Sequence, residues 1–96
     1  MQVRLTSLAQ VDYFQALAWY ENRQPGLGWE FELELESLYK RIEQNPESFR
    51  KATPAVRKAH MARFKHDVYF AIESNEIRVL AIYHPSRNPD ALRFRF

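Results

Sequence analysis

The sequence has no cysteine, little glycine and no long apolar run. Its 96 residues include no Cys, two Gly and five Pro. The lack of cysteine excludes a disulfide scaffold, a zinc site with thiolate ligands and a cysteine nucleophile. No segment approaches the roughly 20 consecutive apolar residues of a membrane-spanning helix, and the N-terminus lacks the pattern of a secretory signal. These absences predict a cytoplasmic protein with no membrane partner.

The side chains that are present predict one folded domain with an uneven charge. Hydrophobic residues make up 46% and aromatic residues 15% of the chain, which excludes a disordered polypeptide. The length predicts a single domain over residues 1–96. Residues 1–50 carry five basic and eight acidic side chains, whereas residues 51–96 carry nine basic and four acidic ones. A basic C-terminal half indicates an acidic partner.

Two helices are predicted in the N-terminal half. The first runs from Leu8 to Gln24, with Ser7 as its cap. It is predicted to bury a broad face of two adjacent apolar stripes, which are Val11, Phe14 and Ala18, and Tyr13, Leu17 and Tyr20. A Pro-Gly-Leu-Gly turn at 25–28 ends it. We expect the two tryptophans beside this turn, Trp19 and Trp29, to pack between the helices.

The second helix is predicted from about Gly28 to Gln44. Residues 29–36 alternate as a strand would, but Leu and Glu favour a helix. Apolar residues then recur at helical spacing, and these are Phe31, Leu35, Leu38 and Ile42. Leu33 and Tyr39 become candidates for partner contact if this helix exposes a second stripe.

Four strands complete the expected fold, at 2–6, 56–64, 67–73 and 76–84, with a loop over 46–55. Ser74-Asn75 predicts a two-residue hairpin, whose register pairs Ile72 with Ile77, Phe70 with Val79 and Val68 with Ala81 on the helix-facing side. The tail at 91–96 alternates over Leu92–Phe96, which predicts either an added edge strand or pairing with a strand of a partner. The fold class is therefore α+β, ordered β-α-α-β-β-β, with two antiparallel helices on one face of a small, mainly antiparallel twisted sheet.

Three segments of the chain resemble a known family. They are ALAWYENRQPGLGWEF at 16–31, RFKHDVYFAIESNEIRVLAIYH at 63–84 and HPSRNP at 84–89. Together they resemble the ParE/RelE toxins of type II toxin–antitoxin, or plasmid stabilisation, systems. The resemblance implies a growth inhibitor that a cognate antitoxin neutralises. RelE-like members cleave mRNA on the ribosome, whereas ParE-like members are associated with poisoning DNA gyrase.

The basic residues of the RelE-like nucleases are largely missing here. Those enzymes carry a Lys-x-Lys-x-Arg cluster where this chain reads Ala59-His60-Met61-Ala62-Arg63, so only Arg63 remains. RNA cleavage without a metal requires a base, an acid and cations for the phosphate, and the nearest candidates are Arg63, His66, His84 and Arg87. The sequence therefore favours a ParE-like protein that is not an enzyme. A metal-independent endoribonuclease, a non-toxic partner-binding relic and an unrelated small RNA-binding domain remain the alternatives.

The C-terminal half supplies the predicted contacts with antitoxin and target. Cations interleaved with aromatic rings are suited to docking an acidic surface. The residues predicted to bind are Arg57, Arg63, Arg78, Arg87, Arg93 and Phe94. We expect no cofactor, no metal and no small-molecule substrate.

Overall fold

Five strands form one sheet in the order β1-β5-β4-β3-β2, and two helices pack on one of its faces. The computed structural model describes residues 1–96. In chain order the elements are β1 Gln2–Leu5, α1 Ser7–Arg23, α2 Leu27–Gln44, β2 Lys51–Thr53, β3 Val56–His60, β4 Asp67–Glu73 and β5 Glu76–Tyr83. Short 3-10 helices follow α2 at Pro46–Ser48 and end the chain at Pro89–Arg95. Only β1 and β5 are parallel, so the predicted α+β class is confirmed.

Strand β2 lies in the segment predicted to be a loop, so that prediction was wrong. It has three residues and pairs irregularly with β3. Thr53 forms the turn that follows, because its hydroxyl accepts hydrogen bonds from the backbone N–H groups of Ala55 and Val56. A strand this short has too few side chains to show an alternating pattern.

The first helix begins one residue earlier than predicted. Thr6, rather than Ser7, is the N-cap, and its hydroxyl accepts a hydrogen bond from Ala9 N at 3.1 Å. The buried face of α1 was predicted correctly only in part, since Val11 and Phe14 are exposed, whereas the adjacent stripe of Tyr13, Leu17 and Tyr20 packs against the core. The residues that face the sheet are small or polar ones, Ala9, Asp12 and Ala16, together with Tyr20.

The turn between α1 and α2 contains two glycines and is stabilised by a glutamate carboxylate. Glu21 accepts hydrogen bonds from the N–H groups of Gly26 and Gly28, at 2.9 and 3.0 Å, and so caps the start of α2. Gly26 has φ of 89°, a conformation that favours glycine. A Cβ on Gly28 would lie 3.0 Å from the carbonyl oxygen of Leu17, so glycine here allows the helices to approach closely.

The helix predicted for residues 29–36 is confirmed, and α2 buries the predicted stripe of Phe31, Leu35, Leu38 and Ile42. Neither tryptophan packs between the helices, because both Trp19 and Trp29 are exposed. That prediction was wrong. Neither helix combines the length and the apolar character that a membrane crossing requires.

An irregularity in the β4–β5 hairpin changes which side chains face the helices. Ser74 and Asn75 form the turn with φ of 45° and 67°, and the predicted pairs Ile72–Ile77 and Phe70–Val79 are present. The register then shifts, so that Val68 pairs with Ile82 instead of Ala81. An extra residue reverses the faces of a strand beyond it. Ile82 therefore joins the core under the helices.

The same shift leaves Ala81 and Tyr83 on the opposite face, where the C-terminal 3-10 helix covers them. Leu92 packs against both residues, and Phe96 lies against Tyr69 with ring centroids 5.6 Å apart. The predicted edge strand at 91–96 was therefore wrong. An apolar surface made by the bulge is buried by the tail instead.

Candidate functional site

A buried carboxylate connects the helices to the C-terminal segment. Asp12 on α1 accepts a hydrogen bond from the N–H of Ile82 at 3.0 Å. Both of its oxygens also accept from Arg95, one of them at 3.2 Å from Nη2. A second arginine, Arg87, lies 3.4 Å from Oδ1. Two guanidinium groups thus share one carboxylate, which leaves one positive charge in excess.

The two arginines are not equivalent. The side chain of Arg95 is 13% exposed and that of Arg87 is 44% exposed. Arg87 makes one long contact with Asp12 and stacks over the ring of Tyr83, 4.1 Å from its centroid. Most of its N–H donors are therefore free to bind another group.

His66 is buried beside this cluster and is neutral. Tyr20 Oη lies 2.9 Å from His66 Nδ1 and accepts a hydrogen bond from Lys65 N. Nδ1 is the one acceptor in the chain within hydrogen-bond distance of this hydroxyl, so we assign the phenol proton to the bond with Nδ1 and the ring proton to Nε2. Burial, followed by repulsion from His84, lowers the pKa of His66 to about 4.

His84 also uses its Nδ1 as an acceptor within the chain. Its Nδ1 accepts from Ser86 N at 3.0 Å, with Ser86 Oγ at 2.7 Å, so the neutral ring carries its proton on Nε2. The centroids of the two imidazole rings are 5.2 Å apart. A cavity of about 240 Å³ opens at this point, which we call the histidine pocket, and its walls include Asp12, Trp19, His66, His84, Ser86 and Arg87.

A second cavity, of about 180 Å³, lies on the opposite face of the sheet. Its polar walls are Lys58, Asp67, Tyr69, His84 and Arg87. Asp67 is buried and lies 3.5 Å from Lys58 Nζ and 2.6 Å from His60 Nδ1. Its carboxylate therefore holds two basic side chains of β3.

The remaining residues predicted to bind have separate surroundings. Arg57 donates to the carbonyl oxygens of Glu47 and Phe49, so it fixes the loop before β2. Arg78 lies 3.3 Å from Glu73, and Arg93 lies 3.5 Å from Asp90. Phe94 is 93% exposed and shares with Arg78 the wall of a groove of about 360 Å³. We use the name sheet-face patch for Arg78 and Phe94, which share this groove, together with the exposed side chains of Arg87 and Arg93.

The helices expose an apolar surface of their own. Phe14 is 63% and Trp29 62% exposed, and both line an open groove between α1 and α2 with Glu21 and Glu32 at its margin. We call the exposed apolar residues of this side the helix-face patch. It consists of Val11, Phe14, Trp29 and Leu33. Tyr39, the other candidate for partner contact on α2, is buried.

A solved structure shares this fold. One chain of the "Chromosomal ParDE TA system from P. aeruginosa" matches with a TM-score of 0.76, over 88% of this chain and 95% of that one, at 19% identity. The fold is ParE-like. This match confirms the predicted fold. No family model matches the sequence, and no curated protein matches it.

The ParE-like fold brings three of the four nuclease candidates together. His66, His84 and Arg87 line the histidine pocket. Arg63 has different contacts, since its guanidinium lies 3.0 Å from Glu30 and its backbone N–H donates to Glu34. It is bound to α2 and is not part of this pocket.

The structure also shows where the missing lysines would lie. Ala59 and Met61 are fully buried in the core under the helices. Lysines at these positions would point into an apolar interior. The basic side chains on the outer face of β3 are Lys58 and His60, which sequence reasoning did not select. Their spacing of two on one strand, opposite Asp67, was the signal that would have found them.

Asp12 was missed as well. It is the one acidic residue among the first 20. Position 16, where a basic residue could pair with it along the helix, is an alanine. Such a carboxylate needs a partner from elsewhere in the chain.

The structure contains no group of three or more His, Cys, Asp or Glu side chains that could hold a metal ion.

Proposed function

We propose that this chain is the toxin of a type II toxin–antitoxin pair. It acts in the cytoplasm as a growth inhibitor that binds DNA gyrase, and a cognate antitoxin neutralises it. The observation that carries this proposal is the match of nearly the whole chain to a chain of a ParDE system. The family motifs at 16–31, 63–84 and 84–89 support the same assignment from the sequence.

Binding, rather than catalysis, is the activity that the side chains support. Ala59 and Met61, which align with the two lysines of RelE-like nucleases, are core residues here, and Lys58 is the one lysine on the outer face of that strand. The sheet-face patch instead presents three arginines and an exposed phenylalanine. Arginine and aromatic side chains are typical of the energetically dominant residues in protein interfaces. We assign this patch to an acidic surface on gyrase or antitoxin.

Arg57 and Arg63 contribute less to this surface than the sequence suggested. Arg57 is used within the chain by two carbonyl oxygens, and Arg63 is paired with Glu30 on the helical side. Both are kept as residues that border the interface. Arg78, Arg87 and Arg93 form its centre together with Phe94.

Two measurements test the proposal. Inducing the chain alone in bacteria should arrest growth, and co-expression of the antitoxin gene next to it should restore growth. The purified chain should inhibit supercoiling by DNA gyrase. Normal growth with folded protein present would contradict a toxin. Normal growth together with tight antitoxin binding would identify a partner-binding relic.

A ribosome-dependent nuclease is the second candidate, and one observation favours it. Lys58, Tyr69, His84 and Arg87 meet around one cavity on the sheet. A histidine can transfer the proton of a 2′-hydroxyl, and cations can stabilise the phosphate as charge develops. Cleavage of ribosome-bound mRNA, abolished by Arg87→Ala and by Lys58→Ala while gyrase stays fully active, would establish this function and overturn gyrase binding.

A further inference from the structure

The histidine pocket has polar walls that mostly donate hydrogen bonds. In their neutral forms His66 and His84 each carry a proton on Nε2, and neither Nε2 has a partner within the chain. Arg87 adds free guanidinium N–H groups from the other side. Asp12 also lines the pocket, but both of its oxygens already accept from Arg95. A ligand that enters the histidine pocket therefore meets mainly hydrogen-bond donors.

The pocket also lies beside a net positive charge, which favours an anionic ligand. Arg87 and Arg95 together exceed Asp12 by one positive charge. Trp19 lies 5.8 Å from His84 and 6.4 Å from His66, measured between ring centroids, and the ring of His66 is largely removed from water. Hydrogen bonds to a charged acceptor are stronger where water is partly excluded.

We propose that the histidine pocket binds a phosphate group, held by the Nε2–H groups of His66 and His84 and by the guanidinium of Arg87. Three convergent donors suit an acceptor with several oxygens and more than one negative charge. The cavity of about 240 Å³ has room for free phosphate or for the phosphate of a mononucleotide. The site shares Arg87 with the sheet-face patch, but phosphate binding is measured on the purified chain without gyrase or antitoxin, so its failure can be told apart from a failure of the proposed toxin function.

The surroundings of His66 add a second consequence. The groups that face it are Tyr20 and Trp19 of α1, Phe31 of α2, and His84, Asp12, Asp67 and Arg87. Burial and the positive groups oppose protonation of the ring. A bound anion favours the imidazolium, so phosphate should raise the pKa of His66 above about 4.

The experiment is an NMR titration of the histidine ring protons with inorganic phosphate, at an ionic strength matched with chloride. We expect saturable shifts of His66 and His84 and a raised pKa of His66, with His60 unaffected as an internal reference. Arg87→Gln and His84→Ala should each weaken binding by about tenfold or more, because each removes a charge-assisted hydrogen bond. Arg50→Gln is the matched control, since Arg50 is exposed next to the opposite edge of the sheet.

The amide spectrum of each variant shows whether it is folded, and His84→Ala keeps the test decisive if Arg87→Gln unfolds. Shifts no larger than those in chloride, or equal binding by the Arg87→Gln and Arg50→Gln variants, would overturn the proposal. Acetate binding as tightly as phosphate would overturn the assignment to phosphate. Tighter binding of a ribonucleoside 5′-monophosphate would identify a nucleotide as the source of the group, and equal binding would identify free phosphate.

Discussion

The two sides of the molecule both expose aromatic side chains, but these are surrounded by opposite charge. The helix-face patch, with Phe14 and Trp29, is bordered by Glu21 and Glu32. The sheet-face patch, with Phe94, is built around arginines. Apolar contact gives affinity on either side, whereas charge decides which partner is accepted. An acidic protein surface is therefore attracted to the sheet side and repelled by the helix side.

The two sides also differ in how they are held. The helices pack on the sheet through a continuous apolar core. The C-terminal 3-10 helix is held on the other side by Leu92, by Phe96 and by the ion pair of Arg95 with Asp12. Asp12 is the charged link between the two layers. Removing the Asp12 carboxylate should therefore weaken the attachment of the C-terminal 3-10 helix to the rest of the fold.

The largest effect is expected from Asp12→Ala. The substitution leaves Arg95 nearly buried without its carboxylate and leaves the N–H of Ile82 without an acceptor. Breaking a buried pair in this way costs about 3–5 kcal/mol of the free energy of unfolding, measurable by urea denaturation. Glu36→Ala, at an exposed position of α2, is the control and should cost less than about 0.5 kcal/mol. Equal losses would mean that Asp12 does not hold the layers together.

The next effect concerns pH and the buried His66. Its folded-state pKa is lowered to about 4, below the ordinary value of about 6.5. The unfolded chain therefore binds the extra proton first, so stability is fully present above about pH 6.5 and is lost as the pH falls toward 4. The loss should reach about 2–3 kcal/mol. In His66→Gln the stability should depend less on pH over that window, and an unchanged slope would contradict a buried neutral histidine.

Reversing charge on the sheet side should affect binding more than stability. Arg78→Glu places a carboxylate where an acidic partner would dock, next to Glu73. We expect the concentration needed to inhibit gyrase supercoiling to rise by about tenfold, with the free energy of unfolding changed by less than about 0.5 kcal/mol. The matched control is Arg41→Glu, at an exposed position in the last turn of α2. If both variants lose inhibition equally, the sheet side has no special role.

The sequence predicted the order of the main elements because their signals are local. Helical spacing from Phe31 to Ile42 outweighed a misleading alternation at 29–36, and Ser74-Asn75 placed the hairpin turn correctly. No residue pattern in the sequence marks the bulge at the middle of β5. This bulge is the reason that Ile82, rather than the predicted Ala81, faces the core. His84 belongs to the same shifted strand end, so its approach to His66 was predictable only once the register was known.

Partners distant in sequence account for the other errors. Asp12 and Arg95 are 83 residues apart, and no spacing rule connects them. The stripe of Val11 and Phe14 was predicted to be buried because apolar side chains usually face the core. In α1 the core-facing side is made of Ala9 and Ala16, together with Tyr20 of the other predicted stripe, because the helix lies close to β5. The exposed stripe is then left for solvent or a partner.

The smallest effect is expected from Phe14→Ser on the helix side. Phe14 is 63% exposed, so its loss should change the free energy of unfolding by no more than about 0.5 kcal/mol. Phe31→Ala removes a fully buried ring from the same layer and should cost about 3–5 kcal/mol. Gyrase inhibition by Phe14→Ser should match that of the unaltered chain, because the proposed docking surface lies on the sheet side. Lost inhibition in a folded Phe14→Ser variant would move the docking site to the helices, and a large loss of stability would show that this stripe belongs to the core after all.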